Sequence, residues 1–217
     1  MILIPVKNLD HAKQRLASVL DQPARTELAQ AMLYDVLETV AKAVESHDVS
    51  VVSSDPFALA AAKEFQFQII PDAANRSESD AIEMATQFCV AHGIQSTLVI
   101  PADIPLIQPP ELQEIFRAAP AEGSVLVPAA DGRGTNAIFR SPASLFPLRF
   151  GNDSFKPHLT AAQASHKPCI VLSLPGIALD VDNPADFQQL AALPGQTRTH
   201  KLARQWKIAT LPIAVNE

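Results

Sequence analysis

The chain reads as an α/β protein: a single-domain mixed, mostly parallel sheet flanked by helices. Three observations predict this. Short apolar runs of strand length alternate along the chain with longer segments whose apolar residues recur at helical spacing. The first run, Ile2–Val6, is apolar throughout, as in a strand buried on both faces. An acid or a base follows nearly every run, where ligands sit in open parallel sheets.

The elements follow in order. Ile2–Val6 is the first strand. Asp21, with Pro23 close behind, opens a helix whose apolar face continues through Leu28, Ala31, Met32, Val36, Val40 and Val44. Val49–Ser53 is the second strand, residues 56–65 an alanine-rich helix, and residues 67–70 a third strand stopped by Pro71. A helix over 78–92 ends at Gly93. The fourth strand, 97–100, is stopped by Pro101, and a helix over 110–119 carries proline in its first turn. Strands at 124–127 and 136–140 flank a glycine-polar stretch; a helix at 153–164, a strand at 169–173 and a helix at 183–192 complete the pattern. Residues 1–194 are read as one domain. Residues 195–217, with Arg198, His200, Lys201, Arg204, Trp206 and Lys207, are read as an extension packing on the domain or on a partner subunit of a homodimer.

Composition narrows the function. A hydrophobic fraction of 47% in 217 residues supports a real core. The net charge is −6 with no basic block, which argues against nucleic acid as a partner and leaves room for a small basic pocket. Cys89 and Cys169 lack metal-ligand spacing and read as two thiols in a reducing cytosol. The opening MILIPVKNLD is too short an apolar run for a signal segment. No stretch approaches the ~20 apolar residues of a membrane span, so a cytoplasmic protein is expected.

Four segments carry candidate chemistry. In VIPADIPLI, Asp103 follows a strand and is enclosed by apolar neighbours; it is a metal-binding carboxylate or a turn aspartate bonded to backbone amides. In ALDVDNPADF, Asp180 and Asp182 project to one face roughly 7 Å apart, a repulsion that a divalent cation would relieve. The alternative gives Asp182 to capping the helix near Pro184. In PVKNLDHAKQRL, Lys7, Lys13 and Arg15 can converge on a triphosphate without any glycine-rich phosphate loop, or form a solvated basic loop. In DGRGTNAIF and the FGNDSFKPHL downstream, Gly132 and Gly134 permit close backbone approach. Thr135 and Asn136 offer hydrogen bonds, and Gly151, Asn152, Asp153 and Ser154 precede a helix whose N-terminus suits an anion. His158, alone near the start of that helix, reads as packing or surface before catalysis.

These motifs occur in an order that resembles the 2-phospho-L-lactate guanylyltransferase family of deazaflavin coenzyme F420 biosynthesis. The resemblance spans Ile2 to about Leu190. It implies a nucleotidyltransferase of the glycosyltransferase-A type that joins GMP from GTP to a small phosphorylated carboxylic acid and releases pyrophosphate. The acceptor is 2-phospho-L-lactate, phosphoenolpyruvate or 3-phospho-D-glycerate. The resemblance also implies Mg2+ on Asp103, Asp180 and Asp182, carboxylate contacts at Thr135, Gly151 and Ser154, and triphosphate contacts at Lys7 and Arg15. A hand-over of product to the next enzyme of the deazaflavin pathway is expected with it. AANRSESDAIEMA departs from the family's glycine-leucine-asparagine stretch, so acceptor identity is not carried over; Ser77 and Ser79 are candidates for the missing hydrogen bonds. The rival readings are a nucleotide-binding protein without catalysis and a nucleotidyltransferase for another phosphorylated acceptor.

Overall fold

The computed structural model describes residues 1–74, 76–151 and 153–208. Asn75 and Asn152, both within segments singled out above, and the last nine residues of the tail lie outside the described residues. Among the described residues the strands are β1 (Ile2–Val6), β2 (Val49–Ser53), β3 (Gln68–Pro71), β4 (Thr97–Val99), β5 (Gly123–Pro128), β6 (Thr135–Ser141) and β7 (Cys169–Val171). The helices are α1 (Gln22–Ala43), α2 (Pro56–Glu64), α3 (Glu78–Ala91), α4 (Pro109–Ala118), α5 (Phe155–Ala164), the single turn α6 (Pro175–Ala178), α7 (Pro184–Ala192) and α8 (Arg198–Gln205).

The strands form one seven-stranded sheet in the order β3-β2-β1-β4-β6-β5-β7. Only β6 is reversed: it pairs antiparallel with both β4 and β5, whereas every other pairing is parallel. This is the mixed, mostly parallel sheet that the alternation of strand-like and helix-like segments predicts. Helix starts follow local chemistry. Asp21 accepts from the Ala24 amide ahead of α1, Ser77 from Asp80 ahead of α3, and Thr197 from His200 ahead of α8. The helix at 183–192 is capped by Asn183, with Asp186 completing a capping box. The cap proposed as an alternative role for Asp182 is therefore filled by its neighbour.

Two cores cover the two faces of the sheet. Ile2, Ile4 and Val6 pack with α1, α2 and α4 through Leu33, Val36, Ala58 and Leu112. Leu3 points the other way, into a core with Ile82, Ala85, Leu126, Ile138 and Phe146. A third cluster joins Leu16, Leu28, Met32, Val181, Phe187, Leu190, Ala203 and Ile208. Through it α8 packs on α1 and α7. The attachment is also polar: Asp35 of α1 accepts from the backbone amides of Arg198 and Thr199 and from the Thr199 hydroxyl. Helix α8 had no counterpart in the sequence reading, because its polar surface masks the few apolar residues that anchor it. Cys89 and Cys169 are free thiols. Among the described residues no helix is long and apolar enough to cross a membrane.

Candidate active site

The reversed strand decides where the site forms. In the parallel strands the carboxyl ends lie on one edge of the sheet, and the turns after β1 and β4 deliver Lys7 and Asp103 there. β6 runs the other way, so its first residues, Thr135 and Asn136, reach the same edge. The β5–β6 connection closes over them. Asp131 shapes it by accepting from the Arg133 and Gly134 amides at 2.8 and 3.3 Å, and Gly132 supplies the positive φ of 70° that the turn requires. The Arg133 side chain returns to Asp131, and its carbonyl accepts from the Phe155 amide at 2.8 Å. Arg133 thus locks the loop to α5 and lines the cavity at its exposed rim.

The carboxylates are gathered around a lysine. Val181 is fully buried in the third cluster, and its amide donates to the Asp103 carbonyl at 3.0 Å. With Val181 turned inward, extended-chain alternation presents Asp180 and Asp182 to the opposite side. Lys13 Nζ bridges Asp103 Oδ2 at 2.6 Å and Asp182 Oδ1 at 2.7 Å, with its side chain only 7% exposed. Arg15 adds a contact to Asp182 Oδ2 at 3.7 Å. Lys13 holds a left-handed backbone, φ 55° and ψ 42°, an uncommon conformation for a non-glycine residue. Burial opposes its charge, but Asp103 and Asp182 outweigh burial and hold its pKa above the ordinary value. Burial likewise opposes the Asp182 anion, and Lys13 followed by Arg15 outweighs it, leaving a lowered pKa. Among the described residues no cation pairs with Asp180. Burial, then Asp103 and Asp182, push its pKa up to about 6 against the hydrogen bond from Asn136.

Asn136 is a structural lock. Its Nδ2 donates to Asp180 Oδ1 at 2.9 Å and to the carbonyls of Ile177 and Ala178 at 3.0 Å each. Ser154 Oγ accepts from the Thr135 amide at 3.1 Å and lies 3.4 Å from Thr135 Oγ1. Asp153 and Gly151 on either side of Asn152 take positive φ values of 57° and 134°. The expectation of free amides at the start of α5 is corrected in part, because the Phe155 amide is spent on Arg133. Ser77 and Ser79 are also committed to the protein: Ser77 caps α3, and Ser79 Oγ accepts from the Phe150 amide at 2.9 Å.

Two adjoining cavities result. The larger, about 630 Å³, is lined by Asp103, Asp180 and Asp182 on one side and by Thr135, Gly151 and Ser154 on the other. The second, about 470 Å³, is lined by Lys7, Lys13 and the loop that follows β1. Arg15, Glu78, Asp103 and Asp182 border both. Lys7 is held apart from the aspartate cluster by an ion pair with Asp72 at 2.6 Å. Glu78 carries a pKa raised to about 7 by burial and then by Asp103 and Asp182, against Lys7 and Lys13. Sequence reasoning missed Glu78 entirely and read Lys13 as a triphosphate contact or part of a solvated loop, not as a partner of the aspartates. The Lys13 signal was its spacing to Arg15 and Leu16; Leu16 is buried in the third cluster and anchors the turn.

A divalent cation is the group that such a donor set calls for. Among the described residues no three acidic, histidine or cysteine side chains are gathered closely enough to hold a metal. The ammonium of Lys13 spans two of the carboxylates instead. The donor set nonetheless fits: Asp103 Oδ1 is buried without a hydrogen-bond partner, and three aspartates face one cavity.

The fold is that of nucleotidyltransferases of the glycosyltransferase-A type. A nucleotide-diphospho-sugar transferase candidate from Desulfovibrio desulfuricans superposes with a TM-score of 0.76 at 19% identity, covering 94% of this chain and 93% of that one. The CMP:2-keto-3-deoxy-manno-octonic acid synthetase solved with CTP matches at 0.57 and 13% identity over 94% and 98% of the two chains. The manganese complex of Rv0371c from Mycobacterium tuberculosis matches at 0.51 and 15% over 87% and 95%. The chain belongs to the guanylyl transferase CofC-like family, whose model matches residues 1–213. Its relatives differ in acceptor. The phosphoenolpyruvate guanylyltransferase of Roseiflexus castenholzii is 33% identical over 94% of this chain and 93% of its own length. The 3-phospho-D-glycerate guanylyltransferase of Colwellia psychrerythraea is 31% identical over 88% and 91%. The 2-phospho-L-lactate guanylyltransferase of Methanothermobacter thermautotrophicus is 30% identical over 97% and 92%.

Proposed function

We propose that this protein transfers the guanylyl group of GTP to a small phosphorylated carboxylic acid, with release of pyrophosphate. The observation that carries the reading is the convergence of Asp103, Asp180 and Asp182 with Thr135, Gly151 and Ser154 on one cavity, beside a second cavity lined by cations. The acceptor's phosphate oxygen attacks the α-phosphorus of GTP in line. An O–P bond forms and the bond to the β-phosphate oxygen breaks. The attacking phosphate is already anionic near neutral pH, so no general base is needed.

Thr135, Gly151 and Ser154 hold the acceptor's carboxylate and so set the reach of its phosphate. Lys7 and Arg15 meet the triphosphate and offset charge on the departing pyrophosphate. Asp103, Asp180 and Asp182 would hold Mg2+, which when bound supplies positive charge between two phosphates that otherwise repel. Lys13 performs part of that neutralisation in the protein alone. The manganese complex of a fold neighbour supports a divalent ion in this role. Delivery of the diphosphate product to the next enzyme of deazaflavin coenzyme assembly belongs to the same proposal.

The test is Mg2+-dependent pyrophosphate release from GTP with 2-phospho-L-lactate, phosphoenolpyruvate, 3-phospho-D-glycerate or no acceptor, repeated with ATP and CTP. Release with GTP and one of the three acids is expected. GTP binding without release in any arm would make this a binding protein and overturn the reading.

A further inference from the structure

His158 is a buried titratable group to which the reaction above gives no task. It is 1% exposed, on the first turn of α5, with its ring edge-on to Phe150 at 5.1 Å. Both ring nitrogens are engaged. Nε2 lies 2.9 Å from the backbone nitrogen of Arg149, a group that can only donate, so Nε2 is the accepting nitrogen. The ring proton of neutral histidine is then on Nδ1, which lies 2.9 Å from Thr135 Oγ1. A second ring proton would set two donors against each other at the Arg149 amide. Burial first, and the Arg140 guanidinium second, lower the pKa to about 4, so the neutral ring is the form present near pH 7.

The orientation of His158 propagates to Thr135. With Oγ1 accepting from Nδ1–H, the threonine hydroxyl keeps one proton to donate. Ser154 Oγ is a long 3.4 Å away and already accepts from the Thr135 amide at 3.1 Å. The other direction is the cavity that Thr135 lines. We propose that His158 is a positioning residue for acceptor recognition: Nδ1–H fixes the Thr135 hydroxyl so that its proton points at the acceptor's carboxylate. The inference rests on the reading of Thr135 as a carboxylate contact. It gives that contact a direction, and it explains why a histidine follows Ser154 by four residues.

Two measurements test it. The first needs no substrate and no variant: nitrogen–proton correlation of the His158 ring in the full-length protein near pH 7. A neutral ring protonated at Nδ1 is expected; a proton on Nε2, or a charged ring, overturns the proposal whatever the acceptor turns out to be. The second uses steady-state kinetics with 2-phospho-L-lactate, phosphoenolpyruvate and 3-phospho-D-glycerate in turn. His158→Asn keeps an amide donor near the Nδ1 position, whereas His158→Gln moves its amide toward Nε2. His158→Gln should raise the acceptor KM by about 10- to 100-fold, the loss expected when a hydrogen bond to a charged group fails, with the KM for GTP unchanged. His158→Asn should recover most of that loss. In a Thr135→Val background, His158→Gln should add less than about twofold, since the hydroxyl it orients is gone. Equal effects of the two histidine variants, or full additivity with Thr135→Val, overturn the proposal. If Thr135→Val leaves the acceptor KM unchanged, the carboxylate reading of Thr135 fails and this inference falls with it. A wrong tautomer beside a large Thr135→Val effect sinks the relay alone.

Discussion

Replacing Lys13 by methionine isolates the charge balance at the centre of the site. Methionine keeps most of the apolar stem and removes the ammonium that bridges Asp103 and Asp182 at 2.6 and 2.7 Å. At those distances each attraction is about 6 kcal/mol gross at an effective dielectric of 20. Burying the ammonium cancels most of it, because desolvation costs several kcal/mol per ion. Asp103 and Asp182 are 28% and 38% exposed, so water screens what remains after the lysine is lost. A net destabilisation of about 2 kcal/mol is expected, below the 3–5 kcal/mol typical of a fully buried pair. For a chain of this size that is about 4–8 °C in Tm. The assay is thermal unfolding by circular dichroism in EDTA and then in millimolar Mg2+ or Mn2+. The wild type should gain little from the cation, because Lys13 competes for the same oxygens; Lys13→Met should recover at least half of its loss. A variant as stable as the wild type in EDTA, with no steeper response to divalent cations, would refute the idea that Lys13 balances these carboxylates.

Asp103→Ala should lower kcat by at least about 100-fold while its Tm stays within a few degrees of the Lys13→Met value, checked by kinetics and melting in parallel. Asn136→Ala removes the donor to Asp180 and to two carbonyls; urea unfolding should show a loss of about 1–3 kcal/mol. Asp180 gives a pH signature. Its folded pKa of about 6 lies above the ordinary 3.8, so the folded state keeps a proton that the unfolded chain has released. Stability from this group is full below about pH 4 and is lost as pH rises through about 6. Asp180→Asn should therefore gain stability over the wild type in EDTA as pH rises from 4 to 7, by about 1–2 kcal/mol after screening, read from urea unfolding. A difference independent of pH would count against the assignment. Gly195→Ala would place a Cβ 2.1 Å from the His200 ring. It should destabilise the docking of α8 by about 1–3 kcal/mol in urea and leave the acceptor KM unchanged.

The sheet was legible because its strands are short apolar runs punctuated by proline and its helices keep apolar spacing; Ile2–Val6 and Val49–Ser53 fall at their predicted bounds. The direction of β6 was not legible. A strand of this length reads alike in either direction, and only pairing to both β4 and β5 reverses it. The aspartates could be singled out because a carboxylate among apolar neighbours asks for a partner. That the partner in the protein alone is Lys13 could not be read, since it depends on a left-handed turn that carries no glycine. His158 looked like packing because the two groups that fix its ring, the Arg149 amide and the Thr135 hydroxyl, become its neighbours only after folding. Asn136 was equally opaque: its acceptors belong to α6 and to Asp180, more than forty residues away. Helix α8 was hard to read for a related reason: its apolar anchors are few, and the Asp35 carboxylate that holds its first turn is more than 160 residues away.

Asp180 and Asp182 and the wall opposite them rest on different cores, and this bears on how one fold could serve several acceptors. Asp180 and Asp182 flank Val181 in the cluster built with Leu16 and Phe187, and Leu16 also anchors the turn that carries Lys13 and Arg15. The opposite wall hangs on the sheet's second core, through Phe146 and Leu148 with Phe150 and Phe155 packed against them. A substitution in the wall, near Arg133, Gly151 or Ser154, is therefore expected to change the shape and donors of the proposed acceptor pocket with less effect on Asp180 and Asp182, whose neighbour Val181 packs in a separate cluster. Packed interiors transmit displacement through contact, and the cluster behind the wall is separate from the one that holds Val181. Among the described residues the two sides are tied by Asn136, which joins the start of β6 to Asp180, and by the Ala130 amide, which donates to the Ala178 carbonyl. On this argument the transfer centre stays constant while acceptor preference drifts in the wall, consistent with relatives named for three different phospho-acids at 30–33% identity. Asn136 is then the wall residue where substitution should harm transfer with every acceptor, because its side chain bonds directly to Asp180.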